Sequence, residues 1–412
     1  MAPSSPSLQS TLLAPLNGLA ATCADFRNCP KLSDDTWLTL GATRALHDHS
    51  SGRGFLQHVG PRLPDCPAIG HFFTTLASAR RLKLCQQASA RVAGLLTDDP
   101  FAHLDCLRDF DLYAADGHWH GAAVHADPID GAKRAIGHFF ALNLRTQALI
   151  HLTHAQGKKE HDMHALKRLD RDTLRHHAPA GRKVLYVYDC ASIDYAQWQK
   201  WKQSGGIYFI SLTKEKMNLT VTRENPIDRT DPNHAGITAD ELVATTTGIV
   251  LRRIRYTHPV TAVEYEFLTS EFTLPPGVIA FLYLRRWDIE KVFDDLKNKV
   301  GAHRAWANSA IAQQMQAHFL CLAHNLIQLF ERHLAAEHQV TNVAEEQRRA
   351  RRLAEQQRLA KLRAAVLPAL VQTHQRLTQT SLKLFRWVRC HFFSQLPLVD
   401  LVPGLTRSYA HL

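Results

Sequence analysis

The most informative segment of the sequence runs from Leu274 to Gly301 and reads LPPGVIAFLYLRRWDIEKVFDDLKNKVG. It opens with two prolines and a glycine and closes at a glycine with no breaker between them, so the pattern predicts one long helix. At about 100° per residue, four polar side chains fall within about 60° of each other on this helix, namely Tyr283, Arg286, Glu290 and Lys297. The adjacent apolar stripe is expected to face the core and consists of Ile289, Val292, Phe293 and Leu296. Taken alone, the polar stripe is also explained by a solvated face with helix-spaced ion pairs.

The spacing of the polar stripe is more specific than its composition. It reads Y-x-x-R-x-x-x-E-x-x-x-x-x-x-K without a gap. This resembles the signature of bacterial insertion-sequence DDE transposases of the IS-four type. The resemblance implies an α/β fold, with a ribonuclease-H-like catalytic domain, a β-rich insertion, and helical regions at both ends of the chain. It also implies two aspartates upstream, each at the end of a strand.

Two apolar segments upstream end in an aspartate. Asp116 follows a short strand pattern in DLYAADGHWHG, and Asp189 follows another in KVLYVYDC. From the strand that ends at Asp116 onward, the pattern predicts three strands, a helix, the strand that ends at Asp189, a helix and a strand. The resemblance therefore assigns Asp116, Asp189 and Glu290 as the catalytic D, D, E set. Three other aspartates compete for the role but end no apolar strand: Asp127, Asp130 and Asp194.

A cluster of three carboxylates needs cations to offset its mutual repulsion. Oxygen ligands suit Mg²⁺ or Mn²⁺, and two such ions clamp the attacking and leaving oxygens of a phosphoryl transfer. Asp116, Asp189 and Glu290 are therefore the expected ligands of two Mg²⁺ or Mn²⁺ ions. Two histidine groups raise the alternative of zinc, but neither has ligand spacing within one element: His118, His120 and His125, and His151, His154, His161 and His164.

The remaining stripe residues are expected to contact DNA. The resemblance implies that Arg286 and Lys297 contact phosphates and that Tyr283 hydrogen-bonds one. Trp287 either stacks on a displaced base or is buried. In the insertion, Arg253 and Arg255 share one face of a predicted strand, which is either a DNA-facing ribbon or a solvated edge strand guarded by charge.

Composition shifts divide the chain into four regions. They are a Ser/Pro/Ala-rich segment 1–34 expected to be disordered, a helical region 35–106 that either packs or binds DNA, the catalytic domain 107–301 with its β insertion at about 213–273, and a helical region 302–412. In the last region a basic helix over 345–363 suits a phosphate backbone, a solvated surface or a dimer partner.

Charge and cysteine content narrow the class of protein. Lys and Arg exceed Asp and Glu by 49 to 38, a net charge of +11, which favours a polyanionic partner. Eight cysteines without a C-x-x-C pair favour a reducing compartment. No apolar run is long enough to span a membrane, and the N-terminus lacks a signal-peptide layout. A cytoplasmic, nucleoid-associated bacterial protein is expected.

The resemblance implies a DNA transposase that cleaves transposon ends and joins them to target DNA. Its partners would be double-stranded DNA, as terminal inverted repeats and target, and a second copy of the chain in a homodimeric synaptic complex. Two alternatives remain: a ribonuclease-H-like nuclease without strand transfer, and a non-catalytic DNA-binding descendant of a transposase.

Overall fold

The structure is a computed structural model, and it describes residues 6–47, 51–62, 70–121, 134–157, 160–190, 193–214, 217–300, 304–362 and 381–410. A mixed β-sheet forms its centre. The strands are β1 Phe110–Gly121, β2 Arg134–Asn143, β3 Leu149–His154, β4 Lys183–Val187, β5 Ile207–Leu212, β6 Leu219–Glu224, β7 Ile237–Thr245, β8 Val250–Thr257 and β9 Glu264–Thr269.

All of these strands belong to one sheet, in the order β3-β2-β1-β4-β5-β9-β8-β7-β6. β1, β4 and β5 run parallel to one another, whereas β2 pairs antiparallel with β1 and with β3. The order of elements predicted for the catalytic domain, three strands, helix, strand, helix and strand, is therefore present. The fold class is mixed α/β.

Helices cover both faces of the sheet and extend beyond it. They are α1 Leu8–Leu13, α2 Asp34–Leu46, α3 Gly52–Val59, α4 Gly70–Thr75, α5 Ala79–Gly94, α6 Asp162–Lys167, α7 Arg171–Leu174, α8 Tyr195–Gly205, α9 Pro276–Leu284, α10 Trp287–Asn298, α11 Ala310–His338, α12 Val343–Leu362, α13 Leu382–His391 and α14 Leu398–Ala410.

The alternation of side chains along β1 separates two hydrophobic layers. Leu112 and Ala114 join the core formed with α2, α5, α9, α10 and α11, while Tyr113 and Ala115 join the core formed with α6, α7 and α8. Successive side chains of a strand point to opposite faces, so Asp116 follows Ala114 toward the α10 side. The sheet thus lies between two helical layers, and β1 contributes to both.

The N-terminal segment is folded where disorder was expected. Ser7 caps α1 by accepting a hydrogen bond from the Ser10 amide, and Leu8 and Leu12 are buried in the main core. Composition underestimates this segment because its few leucines have helical spacing and pack against α11. The prediction of disorder is therefore wrong for Leu8–Leu16.

The segment from Leu274 to Gly301 forms two consecutive helices, so the prediction of one long helix is wrong. At the junction the Arg286 amide donates to the Tyr283 carbonyl at 2.9 Å and the Ile289 amide to the Arg286 carbonyl at 3.2 Å. These bonds span three residues and tighten the chain into a turn. Nearly all of α9 is buried, whereas α10 is amphipathic, so the turn joins two helices with different surroundings.

The predicted β insertion is a continuation of the central sheet. β9 pairs antiparallel with β5, and β8 lies between β9 and β7. The interpretation of β8 as a charge-guarded edge strand is therefore wrong, because both of its sides are hydrogen-bonded. The insertion is attached to the strand that follows α8, on the far side of β5 from β4.

The C-terminal helices complete the larger core. α11 is buried along most of its length and contacts α2, α5 and β3. α12 carries most of the predicted basic helix, although Arg363 lies outside the described residues. Within the described ranges no helix has the length and apolarity to cross a membrane.

Candidate active site

The register of the parallel strands places the two aspartates side by side. The last parallel pair joins Ala114 of β1 to Val187 of β4, and Asp116 and Asp189 each lie two residues further along. Asp116 does not end its strand as predicted, because β1 continues to Gly121 by pairing with β2 alone. Asp116 and Asp189 still lie side by side, because their positions depend on where the parallel pairing of β1 with β4 stops.

The apolar face of α10 brings the glutamate to the same edge. Ile289 and Val292 are fully buried, and Phe293 stacks on His118 of β1 with 4.7 Å between ring centroids. This packing is the core stripe expected from the sequence. It holds Glu290 on the side of the helix next to β1.

One guanidinium links two of the three carboxylates. Arg286 Nη1 donates to Glu290 Oε1 at 2.7 Å and lies 3.8 Å from Asp116 Oδ2. Asp116 and Asp189 interact electrostatically, as do Tyr283 and Asp189. The structure therefore brings together Asp116, Asp189, Glu290, Arg286 and Tyr283.

The electrostatics of Asp116 reflect crowding by like charge. Burial, together with the charges of Asp189 and Asp162, raises the pKa of Asp116 to about 7. The Gly117 amide and Arg286 act in the opposite direction, because they stabilise the carboxylate. The Gly117 amide donates to Asp116 Oδ1 at 2.7 Å. Burial alone would lower the pKa of Arg286, but the hydrogen bond to Glu290 and the surrounding negative charge raise it. The site holds more negative charge than Arg286 neutralises.

A fourth carboxylate, which sequence reasoning missed, approaches from the opposite face of the sheet. Asp162 lies in the first turn of α6, and a Cβ at Gly117 would be 3.4 Å from its Oδ2 and 3.5 Å from its Oδ1. Burial and the charge of Asp189 raise the pKa of Asp162. The sequence offered one indication of this residue, because Asp162 is the first residue of the helix that follows the third predicted strand.

The other stripe residues differ in exposure. Tyr283 is 3% exposed, and its ring centroid lies 4.9 Å from that of Phe267. Trp287 is 54% exposed, so the alternative that it is buried is wrong, and its ring lies 5.2 Å from Arg286 Cζ. Lys297 is exposed near the end of α10. Tyr283 thus supports Arg286 from the core, and Trp287 and Lys297 face outward.

The insertion arginines lie away from the carboxylates. Arg253 and Arg255 share a face of β8, with β9 and β5 between that strand and β4. Arg253 Nε donates to Glu241 at 2.7 Å, and Arg255 Nε donates to Glu266 at 3.1 Å. Both guanidinium groups therefore have carboxylate partners, and Arg255 is the more accessible, with 47% of its side chain exposed.

The competing aspartates have other placements. Asp194 caps α8, where it accepts a hydrogen bond from the Gln197 amide at 2.9 Å, and it pairs with Lys167. Asp127 and Asp130 lie outside the described residues. The one described competitor has a structural role.

The donor chemistry of the site fits hard divalent cations. Its donor atoms are carboxylate oxygens, and the absence of a side chain at Gly117 lets the Asp162 carboxylate come within 3.4 Å of where a Cβ would stand. Among the described residues, no three His, Cys, Asp or Glu side chains are arranged to hold one ion. At the candidate site the Arg286 guanidinium lies between Asp116 and Glu290 and serves as their counter-cation.

The histidines of β1 to β3 form a buried row. Burial lowers the pKa of His118 to about 2, and His138 Nδ1 lies 3.1 Å from His151 Nε2. The ring contacts run from His118 through His120 to His138, so the imidazoles follow one another rather than surround a common centre. His125 lies outside the described residues.

Comparison with known proteins supplies the family. Residues 115–326 match the family of the transposase DDE domain, a span of more than half the chain that contains Asp116, Asp189 and Glu290. No curated protein matches. The cryo-EM structure of the piggyBac transposase synaptic complex with hairpin DNA is similar at 11% identity and a TM-score of 0.43, covering 95% of this chain and 83% of that one. From the family match, this chain belongs to the DDE transposases.

Proposed function

We propose that this protein cleaves DNA at transposon ends and transfers the released strands to target DNA by phosphoryl transfer. The observation that carries the proposal is the contact of Arg286 with both Glu290 and Asp116, at 2.7 and 3.8 Å, where the register also aligns Asp189. Residues far apart in sequence meet at one sheet edge, and they are the residues that the resemblance to IS-four transposases implies. Membership of the DDE transposase family supports the same chemistry.

Asp116, Asp189 and Glu290 are the proposed ligands of two Mg²⁺ or Mn²⁺ ions. Ions bound by these carboxylates would supply activation of the attacking oxygen, of water or of a DNA 3′-hydroxyl, and stabilisation of the leaving oxygen. The Arg286 guanidinium lies between Asp116 and Glu290, so it would have to withdraw for both carboxylates to hold metal. An arginine beside a transferring phosphate binds its oxygens in a bidentate manner, so the released guanidinium has a role on the substrate.

The residues around the carboxylates position the DNA. Arg286 and Lys297 contact phosphates near the scissile bond, and Tyr283 orients the Arg286 guanidinium or a phosphate through its hydroxyl. The exposed indole of Trp287 is suited to stack on a base displaced from the duplex. Arg253 and Arg255 are proposed to contact DNA farther from the cleavage point.

The proposed partners are double-stranded DNA and a second copy of the chain. The DNA comprises the terminal inverted repeats and the target, and a homodimer would pair two ends in a synaptic complex. The net charge of +11 favours a polyanionic partner such as DNA.

The strand order β3-β2-β1-β4-β5, with only β2 antiparallel to β1, supports the ribonuclease-H-like assignment of the catalytic domain.

The experiment uses the inverted repeats that flank the gene as a labelled duplex, incubated with the full-length protein and a target plasmid. Cleavage and joined product are expected with Mg²⁺ or Mn²⁺ and neither with chelator, while end binding persists. Asp116→Asn should abolish both products. Cleavage without joining would support the nuclease alternative, and end binding without cleavage in any divalent metal would support the non-catalytic descendant. Metal-independent cleavage would refute the assignment.

A further inference from the structure

A buried arginine of α2 carries a charge that its surroundings leave unmatched, within the residues that the structure describes. Arg44 is 8% exposed, and among those residues its Nη1 has no hydrogen-bond partner. Burial lowers the pKa of Arg44 to about 9, and no carboxylate in the described part of the chain acts in the opposite direction. The guanidinium therefore remains charged at neutral pH without a counter-ion, which makes it a candidate site for an anion from outside the chain.

Two aromatic rings hold the Arg44 guanidinium. Its Cζ lies 4.2 Å from the ring centroid of Trp306 and 5.0 Å from that of Phe73. Such rings attract a cation, but the N–H donors of a guanidinium point outward in its own plane, so stacking satisfies none of them. Both rings are partly exposed. The guanidinium thus lies just below the surface with donors still available.

We call Arg44, Phe73 and Trp306 the Arg44 cluster, and both of its rings are fixed by their own neighbours. The start of α3 packs against Phe73, since a Cβ at Gly52 would stand 2.2 Å from the Phe73 Cζ. The Trp306 amide donates a hydrogen bond to Gln316 Oε1 of α11 at 2.8 Å. The cluster therefore joins α2, α4 and the segment between α10 and α11.

The segment that carries Trp306 also connects the cluster to the strand of the first candidate catalytic residue. The Ala305 amide donates to the Gly121 carbonyl at 2.8 Å, at the end of β1. Gly121 lies five residues beyond Asp116, which is about 17 Å along a strand and about half a helical turn of DNA. One duplex held at Asp116 is therefore long enough to reach the cluster. Two exposed arginines, Arg53 and Arg304, are close to the cluster in sequence and add positive charge.

A purely structural arginine of the same helical region is built differently. Arg81 of α5 also lies over a ring, with its Cζ 5.2 Å from the centroid of Trp37. In addition, its Nε lies 3.4 Å from Asp34 Oδ1, and its Nη2 donates to the Leu32 carbonyl at 2.8 Å. Arg44 has only the rings among the described residues. Because desolvation of an unpaired cation opposes folding, the rings leave a cost that a bound anion would offset.

We propose that the Arg44 cluster binds a phosphate of the DNA backbone, at a point of the duplex away from the cleaved bond. A planar guanidinium matches the geometry of phosphate oxygens, and stacked rings hold its plane. Contacts to phosphates fix the register of a protein on a duplex and carry no sequence information. The inference rests on the proposed function, because DNA is the anion that it requires.

The experiment measures binding of the full-length protein to the labelled transposon-end duplex by fluorescence anisotropy at several salt concentrations. Arg44→Met should weaken binding by about 10- to 100-fold, as loss of a hydrogen bond to a charged group does. It should also reduce the slope of log affinity against log salt by about 0.9. Arg44→Lys should keep the slope but bind less tightly than wild type, because it keeps the charge and loses the planar donors. Arg81→Met is the matched control and should bind the duplex normally.

Thermal unfolding without DNA separates phosphate binding from a structural role. Arg44→Met should unfold at the same or a higher temperature, because it removes an unpaired buried charge and the thioether still packs on the rings. Arg81→Met should unfold at a lower temperature, because it removes contacts to Asp34 and Leu32. The nearest acid in sequence, Asp48, lies outside the described residues. A structural pair with it predicts a lower unfolding temperature for Arg44→Met and unchanged DNA binding, and this result would overturn the inference.

Binding by the wild type distinguishes this inference from the proposed function. If the wild type binds the end duplex and Arg44→Met binds it equally well, only the Arg44 cluster is wrongly assigned. If the wild type binds no duplex at any salt concentration, the proposed function fails together with this inference.

Discussion

Two buried arginines of this protein illustrate how a structural ion pair differs from a reactive one. Arg252 on β8 is matched to a single carboxylate: Nε and Nη2 bond the two oxygens of Asp240 at 2.8 and 2.6 Å, and Nη1 bonds the Leu274 carbonyl at 2.6 Å. Arg286 makes one short bond, to Glu290, and within the described residues its Nε has no partner. One pair is complete and the other is not.

The difference lies in the balance of charge. The Arg252 side chain is 6% exposed and that of Asp240 3%, so one positive and one negative group neutralise each other out of water. Arg286 pairs with Glu290 and Asp116, and the charges of Asp189 and Asp162 add to the negative charge at Asp116. A site with surplus negative charge is poorly arranged for stability alone and well arranged to accept cations.

The largest expected effect is on strand cleavage by Glu290→Gln. The change keeps the size and helix propensity of the residue but removes the charge that a metal needs. Folding and end binding should survive, and the cleavage rate should fall by about 100- to 1,000-fold. Single-turnover cleavage of the transposon-end duplex measures the effect.

The matched control is Asp294→Asn, one helical turn further along α10 and exposed. Asp294→Asn should cleave at nearly the wild-type rate, because Asp294 is an exposed acid outside the proposed carboxylate set. If both acids only formed surface ion pairs, both substitutions would have the same minor effect. Near wild-type cleavage by Glu290→Gln would mean that α10 does not carry the catalytic acid.

The next effect contrasts the two arginines through stability. Arg252→Met leaves the Asp240 carboxylate buried without a partner and should cost about 3–5 kcal/mol of unfolding free energy. Arg286→Gln should lower the free energy of unfolding by less, about 1 kcal/mol. Asp116 accepts a proton near neutral pH, and both carboxylate partners of Arg286, Asp116 and Glu290, are partly exposed.

Thermal unfolding with and without Mg²⁺ measures both variants. Mg²⁺ should restore Arg286→Gln, since the metal replaces the missing counter-cation, and should not restore Arg252→Met. An equal response of the two variants to Mg²⁺ would remove the distinction between a complete and an incomplete pair.

A smaller effect is the pH dependence that Asp116 adds to stability without metal. Its pKa is raised from 3.8 to about 7, so between these values the folded protein binds a proton that the unfolded chain does not. This contribution is present at low pH and is lost as pH rises through about 7. Denaturant unfolding between about pH 5 and pH 8 should show wild type losing stability relative to Asp116→Asn.

Buried histidines impose the opposite trend. Burial lowers their pKa values, for example that of His318 to about 4, so the folded protein loses stability as pH falls. They are common to both proteins, so the difference between the curves isolates Asp116. A constant difference across this range would contradict the raised pKa of Asp116.

The sequence predicts the strands and the carboxylate set because both depend on local pattern and spacing. The apolar runs before Asp116 and Asp189 formed β1 and β4, and the spacing from Arg286 to Glu290 is one helical turn, so they meet whether the helix is long or short. The turn at Arg285–Arg286 was not predictable, since neither residue breaks a helix and the change reflects tertiary surroundings.

Long-range contacts escaped sequence reasoning for a related reason. Asp162 belongs to the site only because β1 lets α6 approach over Gly117, and no spacing in the sequence encodes that contact. Likewise, alternation predicted that Arg253 and Arg255 share a face of β8, but not that β8 lies inside the sheet. Which strands pair across the chain is set by the packed fold.

The smallest expected effect concerns the surface of the insertion, where the charges are also paired but accessible. Arg255 is 47% exposed and shares Glu266, whereas the Arg253 side chain is 12% exposed and bound to Glu241. Removal of one phosphate-binding side chain should reduce the slope of log affinity against log salt by about 0.9. Arg255→Ala should therefore weaken end binding and flatten this slope more than Arg253→Ala does.

Glu266→Gln provides the opposing variant, because it releases Arg255 from a competing carboxylate and should strengthen binding. Fluorescence anisotropy with the end duplex at several salt concentrations measures all three, and unchanged slopes throughout would make these pairs, like Arg252 with Asp240, purely structural.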